Sequence, residues 1–135
     1  SRAADVGRLL RQPETSFLLV TTAEPARITE TLAFHAELAR AGLPFGGFIV
    51  NRVLPAALAG ESPLDPERES GRDLALARKL AAVQRHFAAL MRAERTEIAR
   101  LERAADSAPL VEIPLETEEP TSLAGLARIA ASLGD

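Results

Sequence analysis

The chain has no cysteine, and Lys79 is the only lysine among its 16 lysines and arginines. Without cysteine there is no disulfide, no thiolate metal site and no cysteine nucleophile. The lysine count removes a further class of chemistry. A phosphate-cradling loop ends in Gly-Lys-Ser/Thr, whereas Lys79 is followed by Leu80 and lies in a helical pattern. Neither a G-x-G-x-x-G after a strand nor a G-x-S-x-G elbow occurs. The chain alone therefore lacks any known arrangement for hydrolysing a phosphoanhydride. Two histidines, His35 and His86, lie far apart in sequence, so spacing assembles no metal site and no bound metal is expected. No apolar run reaches twenty residues and no signal peptide is present, which gives no membrane insertion and a cytoplasmic location as expectations. A net charge of −3 argues against nucleic acid or an anionic membrane as the main partner.

What is present is one domain's worth of chain: 135 residues, 47% hydrophobic, enough for a core. The bias to arginine and alanine points to a GC-rich genome rather than to a chemistry. The chain opens Ser1-Arg2-Ala3 without methionine and reads as a piece of something longer.

The organising stretch is Ser16 to Leu54. Phe17-Leu18-Leu19-Val20 is an unbroken apolar run, as in a parallel strand covered on both faces. Thr22-Ala23-Glu24-Pro25 offers a capping hydroxyl, an acid for the positive helix end and a first-turn proline. Ile28, Thr31, Leu32, His35, Leu38 and Ala39 then recur at helical spacing up to Gly42, a left-handed cap. Leu43 to Gly47 reads as a turn, and Phe48-Ile49-Val50 opens a second strand ending Asn51-Arg52. A strand, helix, strand unit of this kind is parallel and right-handed. Its ligands gather at the carboxyl ends of the strands, where Thr21 to Glu24 and Asn51 to Arg52 share a rim.

Residues 3 to 11 look helical. Pro55 to Gly71 is a turn-rich acidic loop, expected to be flexible. Arg72 to about Ala105 is a long amphipathic helix whose stripe, Leu76, Leu80, Val83, Phe87, Leu90, Ile98 and Leu101, is interrupted by Glu94 and Glu97. At 1.5 Å per residue it spans roughly 50 Å, so it is bent, broken or projecting. Core packing with a solvated charged face is the ordinary reading, and capture of a partner segment the alternative. Ala108 to Leu115 supplies a third short strand ended by Pro114. After the acids Glu116, Glu118 and Glu119, Pro120-Thr121-Ser122 starts a last helix with Leu123, Leu126, Ile129 and Leu133 on one side.

Glu24 alone is better read as a helix-dipole partner than as an acid/base catalyst, so no catalytic residue is assigned. Asn51 at a strand end suits the edge of a purine, because an amide donates and accepts at once, although capping a turn is the commoner use.

Together, FLLVTTAEPARITETLAF, GGFIVNRVLP and VEIPL before a final helix resemble the carboxyl-terminal half of ArsA/Get-type ATPases. These are the arsenite-pump and tail-anchored-protein-targeting members of the deviant P-loop class. The resemblance spans about Phe17 to Leu133. It implies a three-layer α/β fragment of a P-loop NTPase-like fold, with about three mostly parallel strands and one long helix. It also implies that Asn51 reads an adenine and that the Pro114 segment packs on the base, with Ile113, Leu115 and Glu116 as neighbours. Glu24 matches an acid near a subunit interface. ATP is thus the implied cofactor, with base contacts only from this chain. The phosphate loop and the Mg²⁺ ligands belong to an amino-terminal half that is itself an expected partner. Homodimerisation or self-association, and a client protein or anion, are the other implied partners. A Cys-x-x-Cys that bridges subunits through zinc in some members would fall in Pro55 to Gly71, and is lacking. The competing reading is a helical protein-interaction module with no nucleotide role.

Overall fold

The computed structural model describes residues 2–59, 68 and 72–116. It is an α/β fold with the element order α1 (Arg2–Leu10), β1 (Phe17–Thr22), α2 (Pro25–Ala41), β2 (Phe45–Val53), a 3-10 turn (Ala56–Ala59), α3 (Arg72–Ala105) and β3 (Leu110–Pro114). The sheet is parallel, in the order β1-β2-β3.

Both crossovers advance in the same direction across the sheet, so right-handed connections put α2 and α3 on the same face. The core records this arrangement. Ile28 of α2 and Ile98, Leu101 and Ala105 of α3 close on Phe48, Val50 and Val53 of β2, with Leu19 and Leu110 packed alongside. Phe48, Ile28, Ile98 and Leu101 are essentially inaccessible to solvent. His35 belongs to this packing: its ring meets Phe45 at 4.4 Å and Phe48 at 5.4 Å.

Several element boundaries differ from the sequence expectation. β2 begins at Phe45, three residues early, because Phe45 pairs with Phe17 across a register shift. The bond from Phe17 N–H to Pro44 O, 2.9 Å, ties the two strand starts together. At Gly47 the backbone takes φ +144°, and an added Cβ would lie 2.5 Å from Pro109 O. Only glycine brings β2 that close to the chain entering β3. Thr22 does not cap α2; it ends β1. The N-cap is Glu24, whose side chain makes no cap bond, and Pro25 opens the helix. Gly42 ends α2 in the left-handed conformation at φ 67°, as the sequence indicates.

α3 is a single unbroken helix of 34 residues, about 51 Å at 1.5 Å per residue. Its carboxyl half carries the core contacts. In its amino half Leu76, Leu80 and Val83 are exposed while Ala81 is buried, and Leu90, just past the midpoint, is exposed too. Most of the Pro55 to Gly71 loop and the helix expected from Pro120 to Leu133 lie outside the described residues. Among the described residues no helix is long and apolar enough to cross a membrane.

Candidate functional site

The three strands end on one rim. There the chain leaves β1 through Thr22 and Ala23 into α2, leaves β2 through Asn51 to Val53, and leaves β3 through Pro114 and Leu115. Two irregularities shape this edge. Between Val50 and Val53 the register with β3 shifts, and Arg52 takes φ 59°, the left-handed region that side chains seldom adopt. The extra residue restores the inward direction: Val50 and Val53 both face the helices, while Asn51 and Arg52 are exposed between them. Downstream, Leu115 N–H donates to Val53 O at 2.7 Å, and Leu54 N–H donates to Glu94 Oε1 at 3.0 Å. These two bonds fasten the exits of β2 and β3 to each other and to α3.

A cleft of about 650 Å³ opens between the start of α2, this rim and the middle of α3. Leu54, Leu90, Ala93 and Leu115 supply its apolar wall, and Thr22, Glu24, Arg52 and Thr96 its polar ones. The first turn of α2, with uncapped backbone N–H groups, lies at its edge. Below it, Glu97 pairs with Arg100 at 2.6 Å, and Arg100 reaches across to Thr29 Oγ1 of α2 at 3.0 Å, so the two helices are cross-braced.

Asn51 occupies a different recess. It lines a shallow groove of about 340 Å³ with Val20, Thr22, Arg27 and Thr31, on the outer side of β1. Its Oδ1 accepts the N–H of Arg52 at 2.9 Å. That bond fixes the amide's orientation and uses one of two lone pairs on Oδ1. Among the described residues Nδ2 donates to no protein group.

Of the residues singled out in the sequence, the large cleft therefore contains Glu24 and Leu115, and the shallow groove contains Asn51. Ile113 stands opposite the Asn51–Arg52 bulge on the neighbouring strand, half-buried. Pro114 pairs in register with Val53 and is exposed, and half-buried Glu116 follows beyond the strand. Asn51 and Pro114 thus share one rim on adjacent strands without lining one cavity.

Glu94 and Arg95 carry structure that the sequence pattern concealed. Arg95 grips Glu112 of β3 with both guanidinium nitrogens, Nη1 to Oε2 at 3.0 Å and Nη2 to Oε1. The hydrogen bond to Glu112 raises the Arg95 pKa further above its already high value. Among the described residues no three His, Asp or Glu side chains gather as metal ligands. No protein-family model matches the chain, and no curated protein sequence does either.

Proposed function

We propose that the chain is the carboxyl-terminal part of an ArsA/Get-type ATPase domain, acting in the cytoplasm and recognising an adenine base at the carboxyl rim of its sheet. The observation that supports this most directly is the state of Asn51. An amide that reads adenine must both accept and donate, and among the described residues Asn51 Oδ1 keeps one lone pair and Nδ2 donates to no protein group, while the Arg52 amide holds the side chain in place. Ile113, on the adjacent strand at the same level, offers the apolar contact a base requires. ATP supplies a phosphoanhydride, and with Lys79 as the only lysine its hydrolysis belongs to an amino-terminal half carrying the phosphate loop and Mg²⁺ ligands. That half would also pair with the outer edge of β1, which no other described strand covers.

The test is nuclear magnetic resonance titration of the chain with adenosine and with ATP. Base contacts alone must offset the ordering of the ligand, so the expected affinity is weak, on the order of millimolar. Both ligands should shift the Asn51 side-chain amide equally, guanosine should not, and Asn51→Ala should abolish the response. Shifts confined to the large cleft, or none at all, would reject adenine recognition at Asn51. A coding sequence for Gly-Lys-Gly-Gly-x-Gly-Lys-Thr upstream of Ser1 would identify the parent class.

A second reading rests on α3. Leu76, Leu80, Val83 and Leu90 form an exposed stripe at heptad-like spacing, suited to a partner helix and to self-association. Leu80→Glu should leave the fold intact and lower the sedimentation coefficient of any assembly this stripe mediates.

A further inference from the structure

The apolar side of α3 continues past the sheet it packs on. The bond from Leu54 N–H to Glu94 Oε1 marks the level of the carboxyl rim along the helix. The residues before Glu94, at 1.5 Å each, carry α3 roughly 30 Å beyond that rim. Leu76, Leu80, Val83, Phe87 and Leu90 follow one another at alternating steps of four and three, the repeat of a coiled-coil seam. At 3.6 residues per turn they lie on the same side of the helix as Ile98, Leu101 and Ala105, which that side buries in the core. Below the rim the sheet covers this side. Above it, Leu76 is 57%, Leu80 47% and Val83 51% exposed.

Charge is kept off the seam. Arg78, Arg85 and Arg92, all exposed, recur every seven residues at the heptad position farthest from it. No acid occurs from Leu74 to Ala93, and of the positions flanking the stripe only that of Lys79 carries a fixed charge. A second copy laid antiparallel on the stripe brings Lys79 opposite His86 rather than opposite another Lys79, so no like charges meet across it.

Resting on the reading of this stripe as a self-association surface, we propose that its occupant is a second copy of the chain, paired antiparallel about a two-fold axis near Val83. The sheet decides the direction. It lies on the seam side of α3, and paired helices have axes about 8–10 Å apart, so in a parallel pair both sheets would have to stand in that gap. Run antiparallel, the two sheets lie at opposite ends of the pair. A flat bilayer would meet the rim before it reached the stripe. The strip from Leu76 to Leu90, roughly 21 Å long and about 10 Å wide on each copy, falls short of the roughly 1,200 Å² at which stable interfaces begin. In the antiparallel pair each amino end also comes down over the other copy's cleft, where Leu54, Leu90, Ala93 and Leu115 present apolar walls. Leu76 of each copy thereby closes toward Leu90 of the other, and the second copy supplies part of the cleft's wall.

In the full chain, sedimentation equilibrium should show a reversible monomer–dimer equilibrium. Leu80→Glu should raise its dissociation constant roughly tenfold or more, because a carboxylate is then buried in an apolar seam, and should leave the melting temperature unchanged. A chain that stays monomeric at high concentration, or a Leu80→Glu protein that dimerises as well as the parent, would overturn self-association at this stripe and the pairing with it. Orientation is read separately. The chain contains no cysteine, so a short thiol cross-linker acts only at residues introduced at the two ends of the seam. Mixed Leu76→Cys and Leu90→Cys proteins should cross-link at least several-fold faster than either variant alone. Faster linkage within Leu76→Cys alone, or equal rates in all three samples, would overturn the antiparallel pair while leaving self-association standing.

Discussion

Replacing Gly47 with alanine tests the feature on which the β2–β3 register depends. Two costs are built into the position. Its φ of +144° is one that a side chain seldom tolerates, and the new Cβ would sit 2.5 Å from Pro109 O and 3.1 Å from Pro109 Cγ. A strained backbone of this kind costs about 1–3 kcal/mol. The methyl group must also push away the carbonyl that accepts Phe48 N–H at 3.0 Å, a hydrogen bond with a net value of about 1 kcal/mol. Alanine recovers about 0.4–1 kcal/mol by restricting the unfolded chain. The net loss is thus about 2–3 kcal/mol, a large part of the roughly 5–15 kcal/mol that holds a domain together. At about 3–5 °C per kcal/mol for a chain of this size, Gly47→Ala should lower the melting temperature by about 6–15 °C in thermal unfolding followed by circular dichroism. Gly7→Ala is the matched control. It lies within α1, where the nearest obstacle to a Cβ is the flexible end of Arg11, so it should leave the transition unchanged or raise it slightly. A Gly47→Ala protein melting within about 2 °C of the parent would refute the assignment of a glycine-only crossing between β2 and the β3 entrance.

Gly42→Ala should be milder, about 1 kcal/mol by denaturant titration, because its φ is 67° but nothing lies within 4 Å of the added Cβ. Glu94→Ala should cost about 1–3 kcal/mol by leaving the half-buried Leu54 N–H without its acceptor, while Glu94→Gln, which keeps an acceptor oxygen, should recover most of it. Arg95→Gln should cost no more than about 1 kcal/mol, and less in high salt, since the Arg95 side chain is 53% exposed. The raised Arg95 pKa adds stability that is complete below the unfolded-state pKa and lost only as pH climbs through the still higher folded value. Exchanging Arg95 for glutamine should therefore shift stability by the same amount at pH 6 and pH 9.

The strand, helix, strand unit around Ser16 to Leu54 is legible because each of its parts has a local cause. The apolar runs, the early proline at Pro25 and the αL cap at Gly42 each act within a few residues. The extent of α3 is likewise set by periodicity. Local cause fails where a position is decided by a partner distant in sequence. The early start of β2 follows from Phe45 meeting Phe17, and the absence of a Thr22 cap from the claim of β1 on that residue. Glu94 and Glu97 look like breaks in an apolar stripe. In the folded chain, Glu94 holds a strand exit 40 residues away, and Glu97 supports the Arg100 bridge to α2.

The rim was legible for a related reason and incomplete for another. Parallel strands joined by helices must all end on one side, so naming Thr21 to Glu24 and Asn51 to Arg52 as neighbours required only topology, whereas the residues around Pro114 were added by the family resemblance. Which of them share a cavity depends on the bulge at Arg52, and no pattern of residue types announces a left-handed arginine. By inserting one residue, that bulge keeps Val53 in the core while exposing Asn51 toward β1. The same step leaves Arg52 lining the cleft between α2 and α3. Asn51 and the large cleft consequently open on different sides of the rim. A ligand reaching both would have to cross the end of β1 at Thr22, which borders each of them. Thr22→Val, which keeps the β-branched shape of the strand end and removes only the hydroxyl, separates the cases. If one ligand spans the two recesses, the substitution should weaken its binding more than that of adenosine at Asn51, because Thr22 borders both recesses. Equal loss for both ligands would confine recognition to the groove.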